Sequence, residues 1–285
     1  MSVDVLQEKI RKLKNPTILE LMPMALPEVF AGAGTAQGYG DYCVALLEAM
    51  KGLIPGVRIR FSAFALLGED GILQLKRVLK AAAGLHYYVI LDAPEQLSTN
   101  MADFTAKMLL GPDSAFPCDG VVVSSYAGSD VWKAYLSYCR EGKKDLYCVV
   151  RTGNKSASEL QDLLAGSRTV HLVAADHANR YGENMVGKFG FSRVAVMAAA
   201  SSAESLRQLR TKYPKLFLLV DGLDYPSANA KNCSGAFDRY GYGAAVCCGP
   251  GITEAWTQEQ GDPIAQAVAS AERIKRNLGR YVTIL

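Results

Sequence analysis

Basic excess, histidine, tryptophan and long apolar runs are all scarce in this chain. Its 31 Lys and Arg stand against 28 Asp and Glu, a formal charge of +3 over 285 residues. Nucleic-acid-binding domains concentrate a strong basic excess on one face, so no nucleic-acid partner is expected. The basic clusters "KIRKLK" (Lys9 to Lys14) and "RIKRNLGR" (Arg273 to Arg280) fall in helical patterns and read as solvated helix faces. The three histidines, His86, His171 and His177, form no metal motif, and no metal is expected. No stretch approaches the roughly 18 consecutive apolar residues of a membrane span, and the N-terminal segment lacks the apolar core of a signal peptide. The expectation is a cytoplasmic protein with no membrane partner. Cysteine is present but unorganised. Its count of seven is odd, and most members sit inside apolar runs, which argues for reduced thiols over a disulfide framework.

What the chain has in quantity is apolar sequence, 49% against 21% charged. This composition suits a globular protein with a substantial core. Short β-branched and aromatic runs alternate with longer amphipathic ones. The strand candidates are Thr17–Met22, Val57–Phe64, His86–Asp92, Gly120–Tyr126, Leu146–Thr152, Arg193–Ala199, Leu216–Gly222 and Gly243–Gly249. Their near-continuous hydrophobicity is what strands buried on both faces show.

Helical spacing fills the gaps, as in Ile72, Leu75, Leu79 and Ala82, or Leu206, Leu209 and Tyr213, or Ile264, Val268, Ala271, Ile274 and Leu278. "SASE" (Ser156 to Glu159) reads as a capping box opening the helix after the fifth strand. Thr169–Gly187 fits a helical face better than a ninth strand. Eight βα units without a Pro-, Gly- or Ser-rich linker predict an α/β fold, a single (β/α)8 TIM barrel over residues 1–285.

In such a barrel the chemistry gathers at the C-terminal ends of the strands. Those ends offer Met22 and Pro23, Arg58 and Arg60, Asp92, Ser124 and Ser125, Thr152 and Asn154, Asp221 and Asp224, and Gly249-Pro250-Gly251. Asp92 is the leading catalytic candidate, with Arg58 as its partner, although capping of its own loop explains it equally. "VILDAPEQLSTN" places no base or cation after that aspartate. The "CCGPGI" glycines let backbone N–H groups approach an anion, and turn punctuation accounts for the same letters. "GAGTAQGYG" has the wrong glycine spacing for a dinucleotide loop, and no acidic residue ends the second strand; it reads as a flexible loop.

Across most of its length the chain resembles the orotidine 5′-phosphate decarboxylases, in particular their longer bacterial branch. "VRIRFSAFALLGEDG" is similar to V-K-x-Q-x-A-F-F-E-x-x-G-x-x-G, and "VILDAPEQLSTN" stands where L-D-A-K-R-G-D-I is found. "VVRTGNKSASELQDL" resembles V-R-T-S-N-x-x-x-x-x-L-Q-D-L, and "CCGPGITEAW" stands where S-S-R-G-I-x-x-A is expected. The resemblance implies chemistry without a cofactor, in which alternating lysines and aspartates favour loss of CO2 and a lysine protonates the carbanion. It also implies a nucleotide or other phosphorylated small molecule as ligand and a homodimer as assembly.

Carried over residue by residue, the second-strand lysine is Arg58 and the first aspartate survives as Asp92. The protonating lysine is Pro94, the second aspartate Leu97, and the ligand-contacting aspartate after the first strand Met22. Thr152 and Asn154 keep two substrate-binding positions around Gly153. Gly249 and Gly251 flank Pro250, which replaces the phosphate-binding arginine. The expectation is therefore a family scaffold without the decarboxylation apparatus, a ligand- or partner-binding barrel. The alternatives are an enzyme acting on a phosphorylated small molecule, or a true decarboxylase with relocated groups such as Lys155 or Lys231.

Overall fold

A computed structural model describes residues 2–22, 25–32, 34–92, 98–258 and 261–285. Eight parallel strands close into a barrel: β1 (Thr17–Leu21), β2 (Gly56–Arg60), β3 (Tyr88–Asp92), β4 (Gly120–Ser124), β5 (Asp145–Arg151), β6 (Ser192–Ala199), β7 (Leu216–Asp221) and β8 (Ala244–Cys248). They follow one another around the ring in chain order, and β8 returns to pair with β1. This is the (β/α)8 TIM barrel that the alternation of runs predicts.

Helices cover the outside. The principal ones span Thr35–Ala49, Gly68–Gly84, Thr99–Leu110, Ser129–Arg140, Val170–Gly182, Ala203–Lys212 and Pro263–Gly279. Each buries the stripe its spacing marks out: Leu75, Leu79 and Ala82 on one, Leu206 and Leu209 on another. The last starts on Asp262, whose side chain accepts from the Ala265 N–H at 2.7 Å, with Pro263 in the first turn, where its missing N–H costs nothing. Val170–Gly182 is a helix, as its face predicts. All seven cysteines are free and buried.

Three local expectations are corrected. The second strand stops at Arg60, and Phe61–Ala65 turns into a short helix. Ser156–Glu159 does not open a crossover helix but lies in a 3-10 turn, Lys155–Glu159, followed by the small hairpin Leu164–Ala165 and Arg168–Thr169. Beyond Gly34, "GAGTAQGYG" is the first turns of the helix Thr35–Ala49 and not a flexible loop.

Inside the barrel, side chains alternate inward and outward along each strand. Tyr88 and Tyr147 fill the floor, which requires small residues beside them. A methyl at Gly56 would lie 2.6 Å from the Tyr88 carbonyl, and one at Gly120 would lie 2.8 Å from the Tyr147 ring. The same alternation aims Arg58 and Arg60 up the interior towards the C-terminal mouth.

Candidate active site

The mouth is filled by charge. Arg58, 1% exposed, donates from Nε and Nη2 to the two oxygens of Asp92 at 2.8 Å each, and from Nη1 to Asp221 across the barrel. Glu20, also 1% exposed and in register with Arg58, lies 3.8 Å from Nη1 and accepts a hydrogen bond from Arg60 Nε. Arg60 further approaches Asp92 at 3.5 Å and Asp221 at 4.0 Å. Five groups from β1, β2, β3 and β7 thus form one network of two cations and three anions.

Buried charges survive only when paired, and here each carboxylate meets at least one guanidinium. Burial works against the Arg58 charge, yet Asp92, Asp221 and Glu20 together hold its pKa well above the ordinary arginine value. Burial pushes Glu20 up despite the two arginines, and its carboxylate neighbours add to that. The Cys247 thiol beneath the cluster is also pushed up by burial. Arg58 is therefore a fixed positive charge, suited to holding carboxylates in place and a poor source of protons.

Of the residues singled out in the sequence, Asp92 and Arg58 are brought into direct contact. Pro23, Pro94 and Leu97 fall outside the described residues. Met22 is partly buried beyond the end of β1. Among the described residues the ion pairs of Asp92 are with Arg58 and Arg60, while Lys155 and Lys231 are exposed elsewhere on the rim.

Thr152 and Asn154 meet just beyond β5. The Thr152 hydroxyl donates to the Asn154 side-chain oxygen. Gln161 clasps Thr152 from the other side: its Oε1 accepts from the Thr152 N–H at 2.8 Å, and its Nε2 donates to the Thr152 hydroxyl at 2.8 Å. Next to it Arg151 makes a two-point pair with Asp162, 2.9 Å on each arm. His171 packs under this loop, and burial lowers its pKa.

After β8, the N–H groups of Gly249 and Gly251 point at one atom, Asp224 Oδ2, at 3.1 and 2.7 Å. Pro250 between them has no N–H. A methyl on Gly251 would stand 2.8 Å from Asp224 Cβ, so only glycine admits this approach. The anion-ready loop is thus present and already holds a carboxylate from the end of β7.

Sequence reading missed Glu20, and it placed Arg60, Asp221 and Asp224 near the mouth without giving them partners. The available signal for Glu20 was a lone acid between Leu19 and Leu21 in an apolar run, since such a charge must find a cation. Among the described residues no group of three or more His, Cys, Asp and Glu side chains is arranged to hold a metal ion, and no helix is long and apolar enough to cross a membrane.

No protein-family model matches the chain. Among proteins of known name, it is 28% identical over 215 residues to an orotidine 5′-phosphate decarboxylase of Rhodopirellula baltica, covering 74% of this chain and 71% of that one. It is 22% identical over 263 residues to the protein of the same name from Petrotoga mobilis, covering 90% and 89%. Among solved structures, the OMP decarboxylase of Leishmania donovani superposes with a TM-score of 0.76 at 24% identity over 98% of this chain and 99% of that one. The orotidine 5′-monophosphate decarboxylase of Plasmodium berghei gives 0.78 at 13% identity, covering 98% of each. The structural likeness establishes the shared barrel.

Proposed function

We propose that this chain is a divergent homologue of orotidine 5′-phosphate decarboxylase that binds a ligand or a partner at its barrel mouth and does not decarboxylate orotidylate. The observation that carries the reading is the Arg58 network. Decarboxylation leaves a carbanion that a positioned acid must protonate. Among the described residues the cations paired with Asp92 are guanidiniums, and Arg58 is bonded to both Asp92 and Asp221. In sequence, proline occupies position 94 and leucine position 97, where the resemblance expects the protonating lysine and the second aspartate. Removing one preorganised group commonly costs about 10²–10³ in rate, and here several are replaced together.

Orotidylate decarboxylation is followed by loss of its ultraviolet absorbance. Purified protein is expected to leave that absorbance at the uncatalysed rate. Turnover that disappears in Asp92→Ala would overturn the proposal.

A second reading is supported by the names of the sequence relatives and by Asp92 and Asp221, which are only partly buried. On it the chain is an enzyme acting on a phosphorylated small molecule, a true decarboxylase with relocated groups included. The same assay separates the two for orotidylate. Thermal-shift titration with nucleosides and nucleoside monophosphates tests ligand binding, since ligand at about 100 times Kd adds roughly 2.7 kcal/mol.

The assembly we propose is a homodimer. Its support is an exposed apolar stripe on the helix Thr99–Leu110, where Met101, Phe104 and Met108 recur at helical spacing with Phe104 71% exposed.

A further inference from the structure

We infer that Asp224 is a built-in anion that fills the loop after β8 and makes this barrel discriminate against phosphorylated ligands. The inference deepens the binding-barrel reading and rests on it for the mouth being a ligand site. The geometry starts with the end of β7. Leu223 N–H donates to the Cys247 carbonyl at 3.1 Å and Tyr225 N–H to the Gly222 carbonyl at 3.1 Å. These two bonds fold the segment after β7 across the end of β8 and fix the Asp224 side chain against Gly249 and Gly251.

Asp224 Oδ2 then accepts from both glycine amides. Backbone N–H groups converging on one point at a glycine-rich loop are the arrangement that receives a phosphate oxygen in many barrels. In this chain the convergence point is taken by a covalently attached carboxylate. Its second oxygen, Oδ1, is buried and has no hydrogen-bond partner among the described residues. The loop amides thus hold the side chain by its other oxygen, Oδ2.

A phosphate monoester entering here must displace that carboxylate or sit beside it, and like charges at contact repel. A neutral ligand part meets no such barrier. Asp224 is on this account a specificity-determining residue, and the mouth selects ligands without a phosphate at the eighth-strand loop.

The test is binding of inorganic phosphate, measured against chloride at equal ionic strength by calorimetry and by amide chemical shifts of Gly249 and Gly251. Wild-type protein is expected to show no perturbation at these amides. Asp224→Ala, which frees both donors, is expected to gain about tenfold or more in phosphate affinity, equivalent to about 1.4 kcal/mol. Asp224→Asn keeps the volume, removes the charge, and serves if the alanine variant does not fold; it is expected to gain in the same direction. Phosphate perturbing Gly249 and Gly251 in the wild type overturns the inference, as does a folded variant with no gain. The assay needs no turnover, so its failure leaves the absence of decarboxylation standing.

Discussion

Arg58 lies side-on to Asp92, with Nε and Nη2 each 2.8 Å from a separate carboxylate oxygen. The two residues come from adjacent strands, β2 and β3, and both side chains point into the barrel near its mouth. Two parallel N–H···O bonds fix orientation as well as distance, which a point-charge ammonium does not do. Because the remaining guanidinium nitrogen reaches Asp221 on β7, the pair also ties opposite sides of the ring together.

Replacing Arg58 by Met is expected to destabilise the fold by about 3–5 kcal/mol, because buried Glu20 and the partly buried Asp92 and Asp221 lose the counter-charge they share. Asp92→Asn should cost less, since Arg58 keeps its other two acids. Arg58→Lys should recover only part of the loss, having no second arm. Urea denaturation of the three variants gives the order directly. Equal midpoints for Arg58→Met and wild type would mean that the network contributes nothing to the fold.

The barrel was legible because strands buried on both faces carry near-continuous apolar runs, interrupted in β1 only by Glu20 and in β2 by Arg58 and Arg60. The run after β2 misled, since Phe61, Ser62 and Phe64 continue an extended-looking pattern while the chain turns into the helix Phe61–Ala65. Ser156 and Glu159 carry a capping signature in a segment held instead as a 3-10 turn, with Gln161 bonded to Thr152 beside it. At the mouth, Asp92 and Arg58 were readable as strand-end groups. Their partners were not, because Glu20 and Asp221 meet Arg58 from strands 38 and 163 positions away, and sequence spacing carries no sign of such contacts. Asp224 was visible only as an acid after β7. That it would face Gly249 and Gly251 depended on how the β7 loop folds over β8.

On the barrel floor, Asp145 is fully buried, with the Tyr88 hydroxyl donating to its Oδ2 and the Tyr147 hydroxyl 3.0 Å from that of Tyr88. Burial pushes its carboxyl up to about 8, against the hydrogen bond from Tyr88, which lowers it. In the unfolded chain an aspartate titrates near about 3.9. The folded value is the higher one, so the group's contribution is fully present below about pH 4 and is lost as pH rises through about 8. Between these limits the slope approaches about 1.4 kcal/mol per pH unit. Wild-type stability is therefore expected to fall from pH 5 to 8 more steeply than that of Asp145→Asn, read as denaturation midpoints across that range. Parallel profiles would show that Asp145 is ionised in the fold.

Gln161 holds Thr152 by two bonds, one to the backbone and one to the hydroxyl. Truncating it to Ala leaves the Thr152 N–H unpaired at the rim, for an expected loss of about 1–3 kcal/mol. Because Thr152 in turn orients Asn154, amide exchange in the segment 152–161 should accelerate in the variant while the floor around Tyr88 stays protected. Exchange unchanged at Thr152 would show that the clasp does not order the loop.

Helix Thr99–Leu110 buries Ala102, Ala106, Leu109 and Leu110 against the barrel and turns Met101, Phe104 and Met108 outward. A lone exposed apolar residue has no special meaning, but three at positions i, i+3 and i+7 make a continuous face. In the proposed homodimer this face is covered by its counterpart. A charge at its centre must then be buried at the interface, where an unpaired carboxylate is strongly unfavourable. Phe104→Glu is expected to shift the protein from dimer to monomer in sedimentation velocity, with little change in the denaturation midpoint of the barrel itself because the side chain faces away from the core. A wild-type monomer, or a variant that remains dimeric, would remove this face from the assembly and leave the stripe available for a different partner.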